Sequence, residues 1–590
     1  MKKIYGFLGA LALVATASCS KHEFGGQDPA PDAKGDLFMT MNIVQSTPTR
    51  TSTPNQGFEV GKDRENKVSD ALVIFAHSDN TIFKSIHVLA TGTDGSIDGA
   101  NSEYVATFQM ERNDLLADIK NNGTPQGNGT KIDYNVYVIG NPTDEMISAY
   151  TGNSPATQVQ SLIELSQDGE TYWTDYKFLM SSAKEEKKSI EASQIPVGSH
   201  TTAGTALPLG SVKIQRAMSR FDFETSNIVF TANSDKNPLK QVTLTFDGLA
   251  LVNQATKANL FKVTSEYEDG QDGLATEYSA FVAGTTLKFN DEKVGNYVFS
   301  PVQESFSLPL YDGTVVSGKL GGAPKAFTSF EYKDPAVLSE ADNTFTHPGS
   351  QAAAQGDYKI WRYCMENTNY DKNNQYHGNT TGIILRAYMT FGTDGNKYTD
   401  PIYAFNNVIL GDAETLRNYV VGQKPDDDPT SDVYELVTIR YKAAVEEYNG
   451  KSASNPKFTF ETEAAEGYKK ITEATADELK ALDSYLVARE FSIYRPGTDG
   501  KFYCYYTYWN RHNDNGPDKL TEMGPMEFAT VRNNVYKIKV NSVKRLGHPG
   551  QPEDDPDPED PGTPDEEDHL YLSVQCEILP WEVRMNGLDL

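Results

Sequence analysis

Near its C-terminus the chain gives up the ability to form a core and then regains it. From Gln551 to Asp568 it reads QPEDDPDPEDPGTPDEED. No residue there is able to join a core, and the prolines and like charges keep the segment extended. Leu570 to Leu590 follows, in which Leu572, Val574, Cys576 and Ile578 alternate with Ser573, Gln575 and Glu577. That is the period of a strand burying one face. Pro580 interrupts the ladder, and Trp581, Val583 and Met585 resume an alternation beyond it. An acidic leash ending in an apolar strand is odd for a self-contained enzyme. It suits a strand whose partner is another molecule.

The opposite end gives an address. Lys2 and Lys3 form a basic start, Ile4 to Ala17 an apolar stretch too short to span a bilayer, and Ala17-Ser18-Cys19 the small-residue end of a cleavage site. An ordinary secretory peptide is one reading. Cysteine directly after the small residues, in LVATASC (Leu13 to Cys19), favours a bacterial lipoprotein signal with lipid on Cys19. Ser20 to Asp36, rich in Gly, Pro and Asp, is then a spacer. No other stretch is a candidate membrane segment.

A formal charge of −29 argues against nucleic acid and anionic lipid as partners. After Cys19 only Cys364, Cys504 and Cys576 remain, each alone in an apolar or aromatic run. That gives neither a disulfide framework nor a zinc motif, so buried free thiols are expected, with one pair among them the alternative.

Leu37 to Val44, LFMTMNIV, reads as a strand with Met39, Met41 and Ile43 on one face and Phe38 on the other. It ends in a polar stretch, Gln45 to Pro54, holding a single basic residue, Arg50, beside Thr51. Arg50 is either a solvated loop residue or a site for an arginine-specific protease. Strands are expected at 70–77, 82–89, 103–110, 131–140, 212–224, 241–253, 277–288, 296–310, 381–391, 491–494, 501–509 and 532–543, from their Val, Ile, Tyr and Phe content and the turns between them. Short helices are expected near Asp114 to Lys120, near Ala156 to Leu165, and after the Thr475-x-x-Glu478 capping box. A small-residue stretch at 198–209 marks a domain boundary. Strand-rich order with close turns favours β-sandwiches over a parallel sheet.

No catalytic, phosphate-binding or dinucleotide motif is present. His512 near Asp514 fits no cation loop and reads as a polar turn, so no metal, cofactor or catalytic residue is expected. The aromatic strand KFYCYYTYW (Lys501 to Trp509) is either a sugar-stacking platform or core with cross-strand packing, and alternation favours the core.

Taken together, several stretches resemble the fimbrillins of Bacteroidales, most closely the structural subunit of their short (minor) fimbriae. They are the lipoprotein start, the lone Arg50 after the first strand, YNVYVIGNP (Tyr134 to Pro142), VKIQRAMSRF (from Val212), YCMENT (Tyr363 to Thr368) and VRNNVYKIKVNSVKRLG (Val531 to Gly547). The tether and SVQCEILPWEV (Ser573 to Val583) then follow in the family's order.

The resemblance implies a mainly β protein of two transthyretin-like β-sandwich domains with a few short helices and a tethered C-terminal donor strand. The divisions expected are a signal at 1–19, a propeptide at 20–50, sandwiches at 51–210 and 211–548, a tether at 549–569 and the donor at 570–590. It further implies export as an outer-membrane lipoprotein precursor and cleavage at Arg50-Thr51. The strand at Leu37 to Val44 is then lost, and its groove is filled by Leu572, Val574, Cys576, Ile578, Trp581 and Val583 of the next copy. Burying four such apolar side chains yields a gross gain of roughly 6 to 12 kcal/mol before ordering costs. Implied partners are other copies of the chain, accessory tip and anchor subunits, an arginine-specific or trypsin-like protease, and host receptors or other bacteria; no nucleic acid is among them. The alternatives are a monomeric surface lipoprotein binding host or dietary glycans, and a secreted hydrolase, for which no motif speaks.

Overall fold

The alternating apolar residues give a chain that is mainly strand. The computed structural model describes residues 36–45, 59–89, 103–264, 287–321, 358–550, 564–565 and 572–582, with short breaks inside the longer stretches. The first half contains β1 (Leu37–Gln45), β2 (Glu59–Val60), β3 (Asp70–Ala76), β4 (Ile82–Leu89), β5 (Glu103–Met110), β6 (Gly129–Gly140), β7 (Met180–Ser182) and β8 (Leu207–Arg216). All but β2 join a nine-stranded sheet in the order β4-β3-β6-β7-β8-β1-β5, with Thr124–Gln126 and Glu186–Glu191 also paired to β6. Its core gathers Leu72, Ile74, Phe108, Val136, Val138 and Ile214.

Three helices accompany this sheet: α1 (Asp63–Asn66), α2 (Arg112–Asn122) and α3 (Asp144–Thr151). The second covers the helix expected near Asp114. The third opens where the Thr143 hydroxyl accepts from the Met146 N–H, with Asp144 and Glu145 in its first turn. The helix expected over 156–165 is not formed. Leu162–Glu164 is instead a strand paired with Lys257–Asn259, a partner too distant in sequence for local spacing to reveal.

The expected single strand over 212–224 is two strands. At Ala217 the chain leaves β8 and the first sheet and enters β9 (Met218–Glu224) in the second, so β8 runs through the expected boundary near 210. The second half continues with β10 (Asn227–Thr231), β11 (Gln241–Val252), β12 (Lys359–Met365), β13 (Gly382–Phe391), β14 (Phe502–Trp509), β15 (Asn534–Val543) and β16 (Leu572–Glu582). They form a β-sandwich: one sheet is ordered β2-β16-β15-β9-β12, the other β10-β11-β13-β14. Phe221, Phe223, Tyr536 and Ile538 from the first sheet meet Leu244, Leu385, Cys504 and Tyr506 from the second in a common core. The aromatic strand β14 is thus committed to packing. Cys364 and Cys504 are buried and free, and burial pushes both thiols up to about 12.

A lobe interrupts the sandwich, of which the sequence reading expected only the strand at 491–494 and the helix after Thr475. Three strands (Ile402–Phe405, Val408–Asp412, Phe491–Tyr494) pack with α4 (Ala413–Val420), α5 (Ser431–Lys451) and α6 (Ala476–Val487) around Leu410, Val437, Tyr441, Leu482 and Phe491. The capping box before α6 is made: the Thr475 N–H donates to Glu478 Oε2 at 2.8 Å, and the Glu478 N–H to Thr475 Oγ1 at 3.4 Å. Among the described residues no helix is long and apolar enough to cross a membrane.

Candidate assembly site

β1 is an interior strand. Along one side it pairs antiparallel with β5, from Leu37↔Met110 to Val44↔Glu103; along the other it pairs parallel with β8, from Met39↔Leu207 to Gln45↔Ile214. Leu37, Met39, Met41 and Ile43 are 0 to 1 % exposed, and Phe38 on the opposite face is 8 % exposed. The expected alternation is therefore the observed one, and strand removal would leave two unpaired edges over an apolar floor.

Each end of β1 is clamped by a buried polar group. At the start, the Arg112 backbone N–H donates to Asp36 Oδ1 at 2.9 Å, and its guanidinium donates to Asp36 Oδ2 at 3.3 Å and to the Asp36 carbonyl at 3.1 Å. The same guanidinium donates to the carbonyls of Ile195, Pro196 and Ser199, so this 2 % exposed cation ties the strand to the 195–199 loop. Burial alone would raise the Asp36 carboxyl; the hydrogen bonds and charge of Arg112 outweigh it and hold it below the usual range. At the other end the Gln45 amide donates to the Asn66 carbonyl.

Asn66 closes α1, which contacts both the nine-stranded sheet, through Arg216, and the sandwich, through Arg220. Glu65, fully buried, accepts from Arg220 at 2.9 Å and from the Tyr363 hydroxyl at 2.6 Å, while Arg220 also pairs with Asp222 at 2.9 Å. Arg216 donates to the Glu65 carbonyl at 3.1 Å, to Asn66 Oδ1, and to Asn533 Oδ1 at 3.2 Å. Charges buried to this degree are stable only when fully paired, and deleting one partner costs about 3 to 5 kcal/mol. Sequence reading missed these residues. Their only signal was charge placed inside apolar alternation, as in the QRAMSRFDFE stretch beginning at Gln215.

The C-terminal strand lies on its own subunit. β16 pairs antiparallel with β15, from Asn534↔Pro580 to Val543↔Leu572, and parallel with β2, Glu59↔Trp581 and Val60↔Glu582. It passes through Pro580, where the sequence suggested an interruption; Pro580 faces the first residue of β15, where loss of one donor is tolerated. Only the backbone of Leu572, Val574, Cys576, Ile578 and Trp581 is described, and Cys19, Arg50, Thr51 and Val583 lie outside the described residues. The tether, read as having no residue able to join a core, is anchored at Asp565 among its described residues. Asp565 is 2 % exposed, accepts from Thr380 Oγ1 at 2.5 Å, donates its N–H to the Gln375 carbonyl at 3.2 Å, and stands 3.9 Å from His377 Nε2. A carboxylate enters the interior when such partners replace water.

Residues 500–587 match the fimbrillin C-terminal family, described as major fimbrial subunit protein type IV. The match spans β14, β15, the tether and β16. This chain resembles the fimbrillins. No curated sequence matches it. Among solved structures, a candidate cell adhesion protein from Parabacteroides distasonis is similar at 11 % identity over 94 % of this chain and 99 % of that one, with a TM-score of 0.35. One from Bacteroides eggerthii is 10 % identical over 93 % and 97 %, with a TM-score of 0.33. The fimbrial anchor protein Mfa2 from Porphyromonas gingivalis is 12 % identical over 47 % of this fimbrillin-like chain and 75 % of its own, with a TM-score of 0.20. Among the described residues no group of three or more His, Cys, Asp or Glu is placed to hold a metal ion.

Proposed function

We propose that the chain is a structural subunit of a cell-surface fimbria that polymerises by strand exchange after proteolysis. The observation that carries this is the interior position of β1, hydrogen-bonded on both sides and followed by the polar stretch holding Arg50. Cutting Arg50-Thr51 turns β1 from a covalent part of the sheet into a bound peptide. Its loss opens a groove with two free edges, a site for strand addition.

The occupant is the C-terminal strand of another copy. L-x-M-x-M-x-I over Leu37 to Ile43 and L-x-V-x-C-x-I over Leu572 to Ile578 share one spacing, with Leu first and Ile last. Aligned so, Pro580 takes the place of Gln45, one residue beyond the last β1 pair with β5. The missing N–H then falls at the ladder's end. Val574 and Cys576 are smaller than Met39 and Met41, so the groove is filled less completely by the incomer. Exchange runs forward because the cut peptide is diluted away while the donor arrives on a tether at every subunit.

In this reading Cys19 carries lipid that delivers the precursor to the outer membrane, and an arginine-specific or trypsin-like protease releases it. Tip and anchor subunits cap the fibre, which supports adhesion. Arg50→Ala tests the switch: the precursor stays folded, retains Leu37 to Val44, and forms no polymer in electron micrographs after limited trypsin treatment that polymerises the native chain. Normal-length polymers from the uncut variant would overturn the mechanism.

A further inference from the structure

β2 holds only two residues, and it pairs with the outer edge of β16 at its last two, Trp581 and Glu582. So short a ladder does not persist alone, and what fixes it is covalent neighbourhood. On its C-terminal side α1 is anchored through Glu65 to Arg220 and Tyr363 and through Asn66 to Arg216. The turn between them is closed by the Lys62 N–H donating to Glu65 Oε2 at 2.7 Å and the Asn66 amide donating to the Gly61 carbonyl at 2.9 Å. On its N-terminal side the chain leads through residues 46–58 to Gln45, held in the first sheet and bonded to Asn66. In the uncut chain β2 is therefore continuous with anchored residues on both sides, Gln45 before it and α1 after it.

We propose that β2 is a latch that holds the C-terminal strand on its own subunit until the chain is cut between β1 and β2. The inference rests on the reading of β16 as the donor and adds a second consequence to the same cut. Severing the chain there removes one of the latch's two ties. A two-residue edge strand with a free end frays, because its opening costs almost nothing locally. The end of β16 at Trp581 and Glu582 is then no longer pinned by β2, and the strand is held by β15 alone. One cleavage event opens the acceptor groove in the first domain and readies the donor strand in the second, so a subunit becomes competent to give and to receive together. An uncut precursor offers neither.

The test uses the full-length chain with a recognition site for a sequence-specific protease placed within residues 51–56, so that cutting does not depend on Arg50. Hydrogen exchange of the 572–582 backbone is followed before and after cutting, at a concentration where the cut chain is still monomeric. Cutting raises exchange there about tenfold or more while β3 and β6 stay protected. In the uncut chain, Glu59→Pro with Val60→Pro removes both backbone donors of β2 and raises 572–582 exchange to the cut level. Unchanged protection of 572–582 in either arm overturns the latch. Polymerisation is recorded on the same samples at higher concentration. Polymers formed without prior loosening sink the latch and leave strand exchange standing; loosening without polymers sustains the latch and sinks the donor role.

Discussion

Met41→Ala separates a strand that merely stabilises the precursor from one that plugs a groove. Met41 is 1 % exposed at the centre of β1, opposite Ala106, itself 1 % exposed. Truncating a buried methionine costs about 2 to 5 kcal/mol, with the spread set by how far the site collapses. In the uncut chain the whole of this appears in unfolding, and a urea midpoint measured with constant slope reads it directly. After cutting, the same contact holds a peptide in a groove. A loss of about 2 to 5 kcal/mol there speeds dissociation by a factor of roughly 30 to several thousand. A fluorophore on the released peptide measures this by anisotropy, and light scattering follows polymerisation in parallel. Both accelerate in the variant, and Thr40→Ala, half-buried on the other face, leaves both close to native. If unfolding falls by the expected amount while release and polymerisation after cutting keep native rates, β1 is a core strand and not the plug.

Two further outcomes follow. Truncation after Asp568 abolishes polymerisation and leaves a folded monomer; Val574→Asp is nearly as harmful to assembly, because a carboxylate would enter an apolar groove, while Glu577→Gln changes little, and electron microscopy with circular dichroism distinguishes lost assembly from lost fold. His512, whose ring nitrogen lies 2.9 Å from the Tyr536 hydroxyl, is pushed by burial from 6.5 down to about 4. The unfolded chain therefore binds the proton first, so the stability contribution is complete above about pH 6.5 and is lost as pH falls towards 4, by about 2 to 3 kcal/mol for a partly buried ring. Urea midpoints between pH 7 and 4 show this slope, and His512→Gln flattens it.

Where the sequence was readable, the determining contacts were local or periodic. β4, β5 and Phe491–Tyr494 fall on the expected residues because alternation and flanking turns suffice to define them. The division of 212–224 into two strands was also written in the chain. The apolar face runs on even positions at Val212 and Ile214 and on odd positions at Phe221 and Phe223, and the parity changes around Ala217, where the strand changes sheet. The lobe with α5 left a comparable mark: Val437, Tyr441, Ala444, Val445 and Tyr448 recur at helical spacing and are all buried. Other features had no local signature. That Leu162–Glu164 is a strand depends on Lys257–Asn259, and that Glu65 is a junction residue depends on Arg220 and Tyr363, far along the chain. The donor-like spacing was legible, whereas the place of β16 on its own β15 was not, since an alternating strand fits any edge of matching chemistry.

That indifference explains why the strand needs control. An edge displaying unpaired backbone groups above an apolar floor accepts any extended segment, and a subunit exporting such an edge would aggregate before arrival. Placing β1 inside the sheet, with β5 on one side and β8 on the other, hides both edges at once behind a single covalent segment. An edge strand in that role would hide only one and would fray on its own. The polar clamps have a matching logic. The Arg112–Asp36 pair fixes the start of β1 and the hydrogen bond from the Gln45 amide to the Asn66 carbonyl its end, so the register of β1 is set by polar contacts that tolerate no slip, while its apolar face packs in the core. A one-residue slip would turn Leu37, Met39, Met41 and Ile43 away from the core and separate Asp36 from Arg112. Buried charge, weak as a source of net stability, here specifies position, and on the proposed mechanism position is what keeps the groove closed until the chain is cut.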